Sequence, residues 1–315
     1  MSPVEPLVHA AGAAAEAAID AIADATVDTV EAMGDAADAA SVIGNAPPIT
    51  GSAAAHTTRR YTGPLLRVSG LSMRFGGLLA VDGIDFEVGR DEIFAIIGPN
   101  GAGKTTVFNC VGGFYKPTAG RIVLDGQAIH GKPSHSVARH GLVRTFQNVR
   151  LFKSLTVLEN LLVAQHRQLG HHIIGGLLAL KSFRRSEADA VRRAAQWLDF
   201  MGLREYANRE AGNLAYGHQR RLEIARCMIT QPRLLMLDEP AAGLNPQEKR
   251  DLQGLIDRLR REFGVAVLLI EHDMGVIMQI SDRILVMENG RPICTGTPGE
   301  VRSNERVIKA YLGEA

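Results

Sequence analysis

The sequence predicts an α/β protein whose core is a mainly parallel β-sheet. Short, continuous apolar runs are typical of strands that are buried on both faces of such a sheet. Four runs of this kind are Ile93–Ile97, Leu234–Leu237, Val265–Ile270 and Ile284–Met287. Helix-favouring stretches such as Lys104–Val111 and Gln247–Glu262 lie between them. Strands that alternate with helices along a chain indicate parallel pairing.

The remaining segments predict two additions to this core. Leu65–Val68 and Ile84–Val88 alternate apolar and polar residues, which favours two strands before the first buried run. Val157–Ile229 has no apolar run comparable with the four core strands, and it is charged and helix-favouring. We therefore expect a helical subdomain, inserted in the α/β core at about residues 150–230.

The N-terminal extension differs in composition from the rest of the chain. Residues 1–58 contain eight acidic residues and no Lys or Arg; because the 315-residue chain has a net charge of +1, residues 59–315 carry +9. This Ala-rich composition predicts a mobile or partly helical extension over residues 1–60, followed by one domain over residues 61–315. An alternative is a helix that docks on a basic partner, because one face would carry Glu16, Asp20, Asp24 and Asp28.

Composition argues against several classes of protein. The three cysteines, Cys110, Cys227 and Cys294, are far apart, and no C-x-x-C is present. This argues against a disulfide scaffold or a zinc module and favours a reducing compartment. No apolar run approaches the ~18 residues that span a bilayer, and the N-terminus lacks the basic region of a signal peptide. Any membrane association is therefore expected to depend on partner chains.

A glycine-rich segment after the first buried run fits the pattern G-x-x-x-x-G-K-[ST]. A strand precedes it and a helix follows it, as the pattern requires of a phosphate-binding loop. Glycines let several backbone N–H groups converge on an anion, and the helix N-terminus adds the positive end of its dipole. Lys104 is expected to reach the β- and γ-phosphates of a nucleotide, and Thr105 to offer its hydroxyl to Mg²⁺. The nucleotide-binding residues of this segment are Gly98, Pro99, Asn100, Gly101, Ala102, Gly103, Lys104, Thr105 and Thr106.

Two adjacent carboxylates, Asp238 and Glu239, follow the buried run Leu234–Leu237. In proteins with a phosphate loop the first such acid holds Mg²⁺, directly or through water. Neighbouring side chains on a strand point in different directions, so Glu239 can face a different atom. A carboxylate there can orient and deprotonate the water that attacks the γ-phosphate. The sequence therefore predicts nucleotide hydrolysis with Glu239 as the general base.

From about Leu65 to its C-terminus, the chain resembles the nucleotide-binding subunits of ATP-binding-cassette (ABC) transporters. Gln147 matches the Q-loop of that family, Gly243–Pro246 matches the D-loop, and His272 matches the switch histidine that contacts the γ-phosphate. Phe75 matches the aromatic residue that stacks on adenine. The family's signature, which opens a helix, is represented here by Leu214, Ala215, Tyr216, Gly217 and His218.

The resemblance implies a fold and a set of residue roles. The fold is a P-loop NTPase core of mainly parallel sheet, with an antiparallel N-terminal β subdomain and an inserted α-helical subdomain. Phe75, Asp238 and the signature are expected to bind ATP together with the phosphate loop. The expected Mg²⁺ ligands are Thr105, Gln147 and Asp238. The expected catalytic residues are Glu239, His272, Gln147 and Lys104.

Two positions depart from the usual pattern of the family. The common signature is L-S-G-G-Q, and its serine, which hydrogen-bonds the γ-phosphate, is replaced here by Ala215, which has no side-chain donor. Gly217 remains, and backbone N–H groups at the start of the helix can still bind an anion. The D-loop has Asn245 where aspartate is commoner. Because the signature completes the site of a second subunit, Ala215 is expected to affect the ATP bound by that partner.

These departures, together with Arg74–Val81, Gly113–Thr118 and Thr156–Gln165, resemble one branch of the family, the ATPase subunits of branched-chain amino acid importers. The resemblance implies a second, different cassette subunit, two membrane permeases and, indirectly, a periplasmic binding protein as partners, with no nucleic acid. It also implies ATP-driven import of leucine, isoleucine or valine. The chain is then expected at the cytoplasmic face of the inner membrane, held there by the permeases.

Other transport and non-transport functions remain as alternatives. Urea importers and the ATPase of lipopolysaccharide export have similar cassettes, and no residue of this chain reads the substrate. A soluble family member in DNA repair would need a long coiled coil between phosphate loop and signature, and this interval is too short and lacks heptads. Soluble members in translation usually carry two cassettes in one chain, whereas one set of motifs is present here.

Overall fold

The computed structural model describes residues 62–165 and 181–312, so the expectations for residues 1–60 lie outside the described residues. Its strands are β1 (Leu66–Phe75), β2 (Leu78–Val88), β3 (Ile93–Ile97), β4 (Ala119–Leu124), β5 (Gln127–Ala128), β6 (Leu142–Arg144), β7 (Leu234–Asp238), β8 (Ala266–Ile270), β9 (Arg283–Glu288) and β10 (Arg291–Gly296).

These strands form two sheets. In the larger sheet the order is β10-β9-β3-β8-β7-β6, and all neighbours are parallel except β10 and β9. In the smaller sheet the order is β2-β1-β4-β5, and every pair is antiparallel. The predicted α/β fold, with a mainly parallel core sheet and an antiparallel sheet built largely from the N-terminal part of the domain, is confirmed.

Helices connect the strands and surround the larger sheet. They are α1 (Lys104–Val111), α2 (Ser134–Arg139), α3 (Val157–Gln165), α4 (Lys181–Met201), α5 (Tyr216–Met228), α6 (Pro246–Phe263), α7 (Met274–Ile280), α8 (Pro298–Ser303) and α9 (Glu305–Leu312). In the described chain between β6 and β7 there are helices and no strand, as the helix-favouring sequence predicts. Apolar side chains of α3, α4 and α5 share one hydrophobic cluster with those of α6, β7 and β8.

The sequence does not predict β6 or β10, the two edge strands of the larger sheet. β6 has three residues, and β10 contains Pro292 and ends at Gly296, so neither has the continuous apolar run of a strand buried on both faces. The register of β10 on β9 also shifts between Pro292 and Cys294.

The order of the strands brings three loops together. β3, β8 and β7 are parallel neighbours, so their carboxyl ends lie at the same edge of the sheet. Every residue of these three strands is buried. Gly98 follows β3, Glu239 follows β7 and Glu271 follows β8. These three residues therefore lie at the same edge of the sheet, where the buried strands hold them in place.

Within the two described ranges, no helix combines the length and the apolar character that crossing a bilayer requires.

Candidate active site

The loop between β3 and α1 has the geometry of an anion cradle. Gly98, Gly101 and Gly103 have φ values of 150°, 81° and 94°. A Cβ at Gly98 would lie 2.1 Å from the carbonyl oxygen of Met287, and one at Gly103 would lie 2.7 Å from that of Ala80. Only glycine fits at these two positions, because any side chain would collide with the backbone of β9 or β2.

The N-terminus of α1 continues this cradle. No side chain caps the helix at Gly103, so its first N–H groups are available to a ligand. Lys104 Nζ donates hydrogen bonds to the carbonyl oxygens of Gly98 (2.8 Å) and Pro99 (2.9 Å), which places the ammonium inside the loop. Burial lowers the pKa of Lys104, and the negative charge of Glu239 opposes this effect. A cation, free N–H groups and glycines at this spacing suit a polyphosphate.

Three of the four predicted catalytic side chains, Glu239, Gln147 and His272, meet at the ends of β7 and β8. Gln147 Nε2 donates to Glu239 Oε2 over 3.2 Å, and His272 Nδ1 lies 3.8 Å from the same oxygen. Glu239 has a left-handed φ of 47°, and its N–H donates to the carbonyl of Ile270 on β8. Its side chain is 24% exposed, so water can reach the carboxylate. The fourth predicted catalytic residue, Lys104, is near enough for its pKa to respond to Glu239.

Asp238 is buried and ion-paired. Arg144 Nη2 donates to Asp238 Oδ2 over 2.7 Å, and Arg144 Nη1 donates to Asn109 Oδ1 on α1 over 2.5 Å. Burial raises the pKa of Asp238, and the guanidinium of Arg144 opposes this effect. Arg144 is not identifiable as an Asp238 partner from the sequence, because the pairing of β6 with β7 that brings them together cannot be predicted from a three-residue strand.

Aromatic rings surround the same guanidinium. The centroids of Phe108, Phe114 and Phe146 lie 5.7, 5.3 and 5.3 Å from Arg144 Cζ. These distances are within the range of cation–π attraction. Arg144 therefore connects α1 and the loop after it to the segment that leads to Gln147.

A second residue that the sequence does not predict is Glu271, which directly precedes His272 and is fully buried. Its Oε1 accepts a hydrogen bond from the Ala241 N–H (2.6 Å), and its Oε2 accepts one from the His272 N–H (3.2 Å). Burial raises the pKa of Glu271, and these hydrogen bonds oppose the rise. Glu271 thus ties the turn after Glu239 to the backbone of His272.

The signature opens a helix, as predicted, since α5 begins at Tyr216. Ala215 is the N-cap residue and gives no side-chain hydrogen bond. A Cβ on Gly243 of the D-loop would lie 3.3 Å from Tyr216 Cε1, so the signature packs beside the D-loop. In the part of the chain that the structure describes, no hydrogen bond of Leu214–His218 reaches the phosphate loop. The chain therefore presents these two predicted ATP-binding elements separately.

Phe75, the predicted adenine contact, ends β1 and is 41% exposed. Its ring meets that of Tyr115 edge to face, with centroids 5.3 Å apart. One face of an exposed, edge-supported ring is suited to stacking on a base.

Comparison with known families identifies the chain. A sequence profile described as "ABC transporter" matches residues 81–242, which include the phosphate loop, Gln147, the signature and the acidic pair. The chain belongs to the ABC transporter family. A second profile, described as "Branched-chain amino acid ATP-binding cassette transporter", matches residues 291–315.

Relatives of this ABC cassette match it over nearly their whole length. It is 62% identical over 252 residues to BraF of Pseudomonas aeruginosa, a high-affinity branched-chain amino acid transport ATP-binding protein. It is 61% identical over 252 residues to LivG of Escherichia coli, which has the same description. Both alignments cover 80% of this chain and 99% of the relative.

A solved structure agrees with the fold of the cassette. The ADP conformation of MJ1267, an ATP-binding cassette of an ABC transporter, superimposes with a TM-score of 0.70 at 33% identity, covering 80% of this chain and 100% of that one. The chain is therefore an ATP-binding component of a membrane transporter, in which ATP hydrolysis is coupled to transport.

Proposed function

We propose that this cassette hydrolyses ATP to drive the import of branched-chain amino acids. The observation that carries hydrolysis is the contact of Glu239 with Gln147 and His272, at the sheet edge from which the phosphate loop emerges. The substrate class is supported by 62% and 61% identity to two proteins named for branched-chain amino acid transport, and by the second profile at residues 291–315.

The geometry of the site supports the residue roles that we propose. The phosphate loop and the start of α1 bind the phosphates, and Lys104 exchanges its two carbonyl partners for phosphate oxygens. Phe75 stacks on adenine. Glu239 takes a proton from the attacking water, Gln147 holds that carboxylate in place, and His272 contacts the γ-phosphate.

The donor set near the phosphate loop fits Mg²⁺, which prefers oxygen ligands. Thr105 is exposed in the first turn of α1, and Asp238 supplies a carboxylate. The amide nitrogen of Gln147 faces Glu239, which leaves its oxygen for another ligand. We propose that these three residues would hold the ion, which would supply positive charge to the phosphates of bound ATP. Arg144 already donates to Asp238 Oδ2, so Oδ1 is the oxygen of this carboxylate that would remain for the ion or for a water bound to it.

A second subunit completes the proposed mechanism. The signature of this chain is separate from its own phosphate loop, which supports a head-to-tail pair with a second, different cassette whose ATP it covers. ATP favours the closed pair, and hydrolysis releases it. Two permeases hold the pair at the cytoplasmic face of the inner membrane, and a periplasmic binding protein delivers the amino acid to them.

We propose that residues 1–60 are an extension and that residues 61–315 are the ATP-binding-cassette domain, with its helical subdomain at about 150–230. The 252-residue alignments support this division, because they cover 99% of each relative and 80% of this chain. A chain without residues 1–60 is expected to fold, assemble and hydrolyse ATP. Loss of assembly or of hydrolysis in a folded truncated chain would contradict this division of the chain.

Reconstitution tests the proposed substrate. The cassette, its second cassette and both permeases are placed in proteoliposomes with the binding protein, and uptake of labelled leucine is followed with and without ATP. We expect ATP-dependent uptake that valine and isoleucine compete for and that Glu239→Gln abolishes. ATP-dependent movement of urea or lipopolysaccharide in place of leucine would overturn the substrate and leave the ATPase assignment standing.

A further inference from the structure

One face of α5 follows the backbone of the segment that carries Gln147. We call residues 144–150 the Gln147 segment. Four side chains of α5 bond to it, and they recur at helical spacing on one side of the helix. This α5 face consists of Arg220, Glu223, Arg226 and Cys227.

Arg220 supplies donors to two carbonyl groups of the Gln147 segment. Its Nη1 donates to the carbonyl oxygen of Phe146 over 2.7 Å, and its Nη2 donates to that of Gln147 itself. Nη1 also lies 3.0 Å from Glu223 Oε2. The Arg220 side chain is fully buried, so these contacts are shielded from water and strengthened by the low local dielectric.

Glu223 supplies the matching acceptor. Its Oε1 accepts hydrogen bonds from the N–H groups of Phe146 (3.4 Å) and Arg150 (3.2 Å). Two further bonds extend the contact to both ends of the segment: Arg226 donates to the carbonyl of Arg150, and Cys227 Sγ lies 3.6 Å from the carbonyl oxygen of Arg144. Glu223 and Arg220, on adjacent turns of α5, thus bond two N–H groups and two carbonyl groups of this stretch of backbone.

This arrangement is a mechanical link between two parts of the proposed site. Along the Gln147 segment, the side chains that bond the backbone come largely from α5. The same helix begins at the signature residue Tyr216, one turn before Arg220. At the other end of the link, the Gln147 side chain contacts Glu239.

We propose that Arg220 and Glu223 are positioning residues that make the Gln147 segment and the signature helix move as one unit. Movement of the signature, when it closes on or leaves the partner's ATP, then changes the contact between Gln147 and Glu239 in this chain's own site. This coupling rests on the proposed ATPase function and is independent of which substrate is transported.

Amide hydrogen exchange tests the link directly. Glu223→Gln removes the charge, and its amide nitrogen cannot accept a hydrogen bond. We expect amides of the Gln147 segment to exchange about tenfold faster in this variant, while those of α1 and of the core strands keep their rates. Glu262→Gln is the matched control, because Glu262 pairs with Arg258 on the exposed face of α6, and it should alter none of these rates. Unchanged exchange in the Gln147 segment, or equal acceleration throughout the chain, would overturn the proposal.

The response to nucleotide distinguishes a positioning role of Arg220 and Glu223 from a contribution to stability alone. In the wild-type chain within its assembled transporter, ATP is expected to change exchange in the Gln147 segment and in residues 216–228 together. In Glu223→Gln, ATP is expected to change exchange in one of these two regions without a matching change in the other. The kcat for ATP should fall about tenfold while KM stays within about twofold, because the phosphate loop is untouched. Arg220→Lys should show the same split, since a single ammonium cannot reproduce the guanidinium fork.

If ATP changes exchange in the Gln147 segment and in residues 216–228 together in Glu223→Gln, or if kcat and KM change equally, the proposed link is wrong. If the wild-type transporter hydrolyses ATP and both segments respond together, but leucine is not imported, the proposed substrate is wrong and the link stands.

Discussion

The Arg144 guanidinium donates a 2.7 Å hydrogen bond to Asp238 Oδ2, and both side chains are buried. The contact ties the edge strand β6 to the acidic end of β7. Asp238 therefore has its own cation in the protein, separate from any ion that arrives with ATP.

Replacement of Arg144 by Met is expected to destabilise the chain. The change keeps much of the apolar stem but leaves the buried Asp238 carboxylate without its partner, and loss of one partner from a buried pair costs about 3–5 kcal/mol. The free energy of unfolding, measured in urea, should fall by about this amount. Arg258→Met removes a partner from the exposed Arg258–Glu262 pair and should cost under about 1 kcal/mol. Equal losses in the two variants would contradict the prediction.

Lys104→Ala is expected to weaken ATP binding by about 10–100-fold. A hydrogen bond to a charged group contributes about 1.5–3 kcal/mol, and Lys104 is the buried cation of the phosphate loop. Titration with a fluorescent ATP analogue measures the change. Lys153→Ala, at an exposed position, should bind with wild-type affinity. Wild-type affinity in Lys104→Ala would show that the phosphate-loop assignment is wrong.

Glu239→Gln is expected to retain ATP and to hydrolyse it about 10²–10⁴-fold more slowly, because a general base contributes a factor of this size. Gln has the same shape and can occupy the same left-handed backbone position. ATPase assays of the assembled transporter, with retained nucleotide measured after gel filtration, test this. Glu205→Gln, at an exposed site, is the control. Near-wild-type turnover in Glu239→Gln would show that Glu239 is not the general base.

Ala215→Ser is expected to stabilise α5 and to increase turnover. The backbone at Ala215 has the extended conformation of an N-cap but lacks a side-chain bond, and a serine cap contributes about 0.5–2 kcal/mol relative to alanine. The same hydroxyl would face the partner's γ-phosphate in the proposed pair. Urea unfolding of the isolated chain and ATPase assays of the complex measure the two effects. Stabilisation without faster turnover would show that residue 215 does not reach the partner's ATP.

Glu271→Gln is expected to flatten the dependence of stability on pH. Burial raises the pKa of Glu271 above its ordinary value of 4.5 in the folded chain, so the folded state binds this proton more readily than the unfolded state. The contribution of this group to stability is therefore greatest below pH 4.5 and declines as pH rises through the raised pKa. Urea unfolding across this range should show a smaller decline for Glu271→Gln than for the wild-type chain. Parallel pH profiles would rule out this titration.

The parts of the fold and site that sequence could predict are those set by local pattern. Strands such as β3 and β7 show their burial as continuous apolar runs, and the phosphate loop is fixed by glycines within eight residues. The sequence does not reveal the roles of Arg144 and Glu271, because their partners, Asp238 and Ala241, come from elements far away in the chain. The sequence pattern alone gives Arg220 no role, because its contacts to the backbone of Phe146 and Gln147 require the packing of α5 against that segment. The catalytic roles themselves stay predictions until the variants are measured.

The two edge strands of the larger sheet affect whether copies of the protein aggregate. An exposed strand edge is a template on which another chain can add a strand and begin to aggregate. Here one edge is β6, which has three residues, and the other is β10, which carries Pro292 and an irregular register. Both are poor templates. In the proposed pair, the two cassettes can therefore approach and separate repeatedly without strand pairing between their sheets.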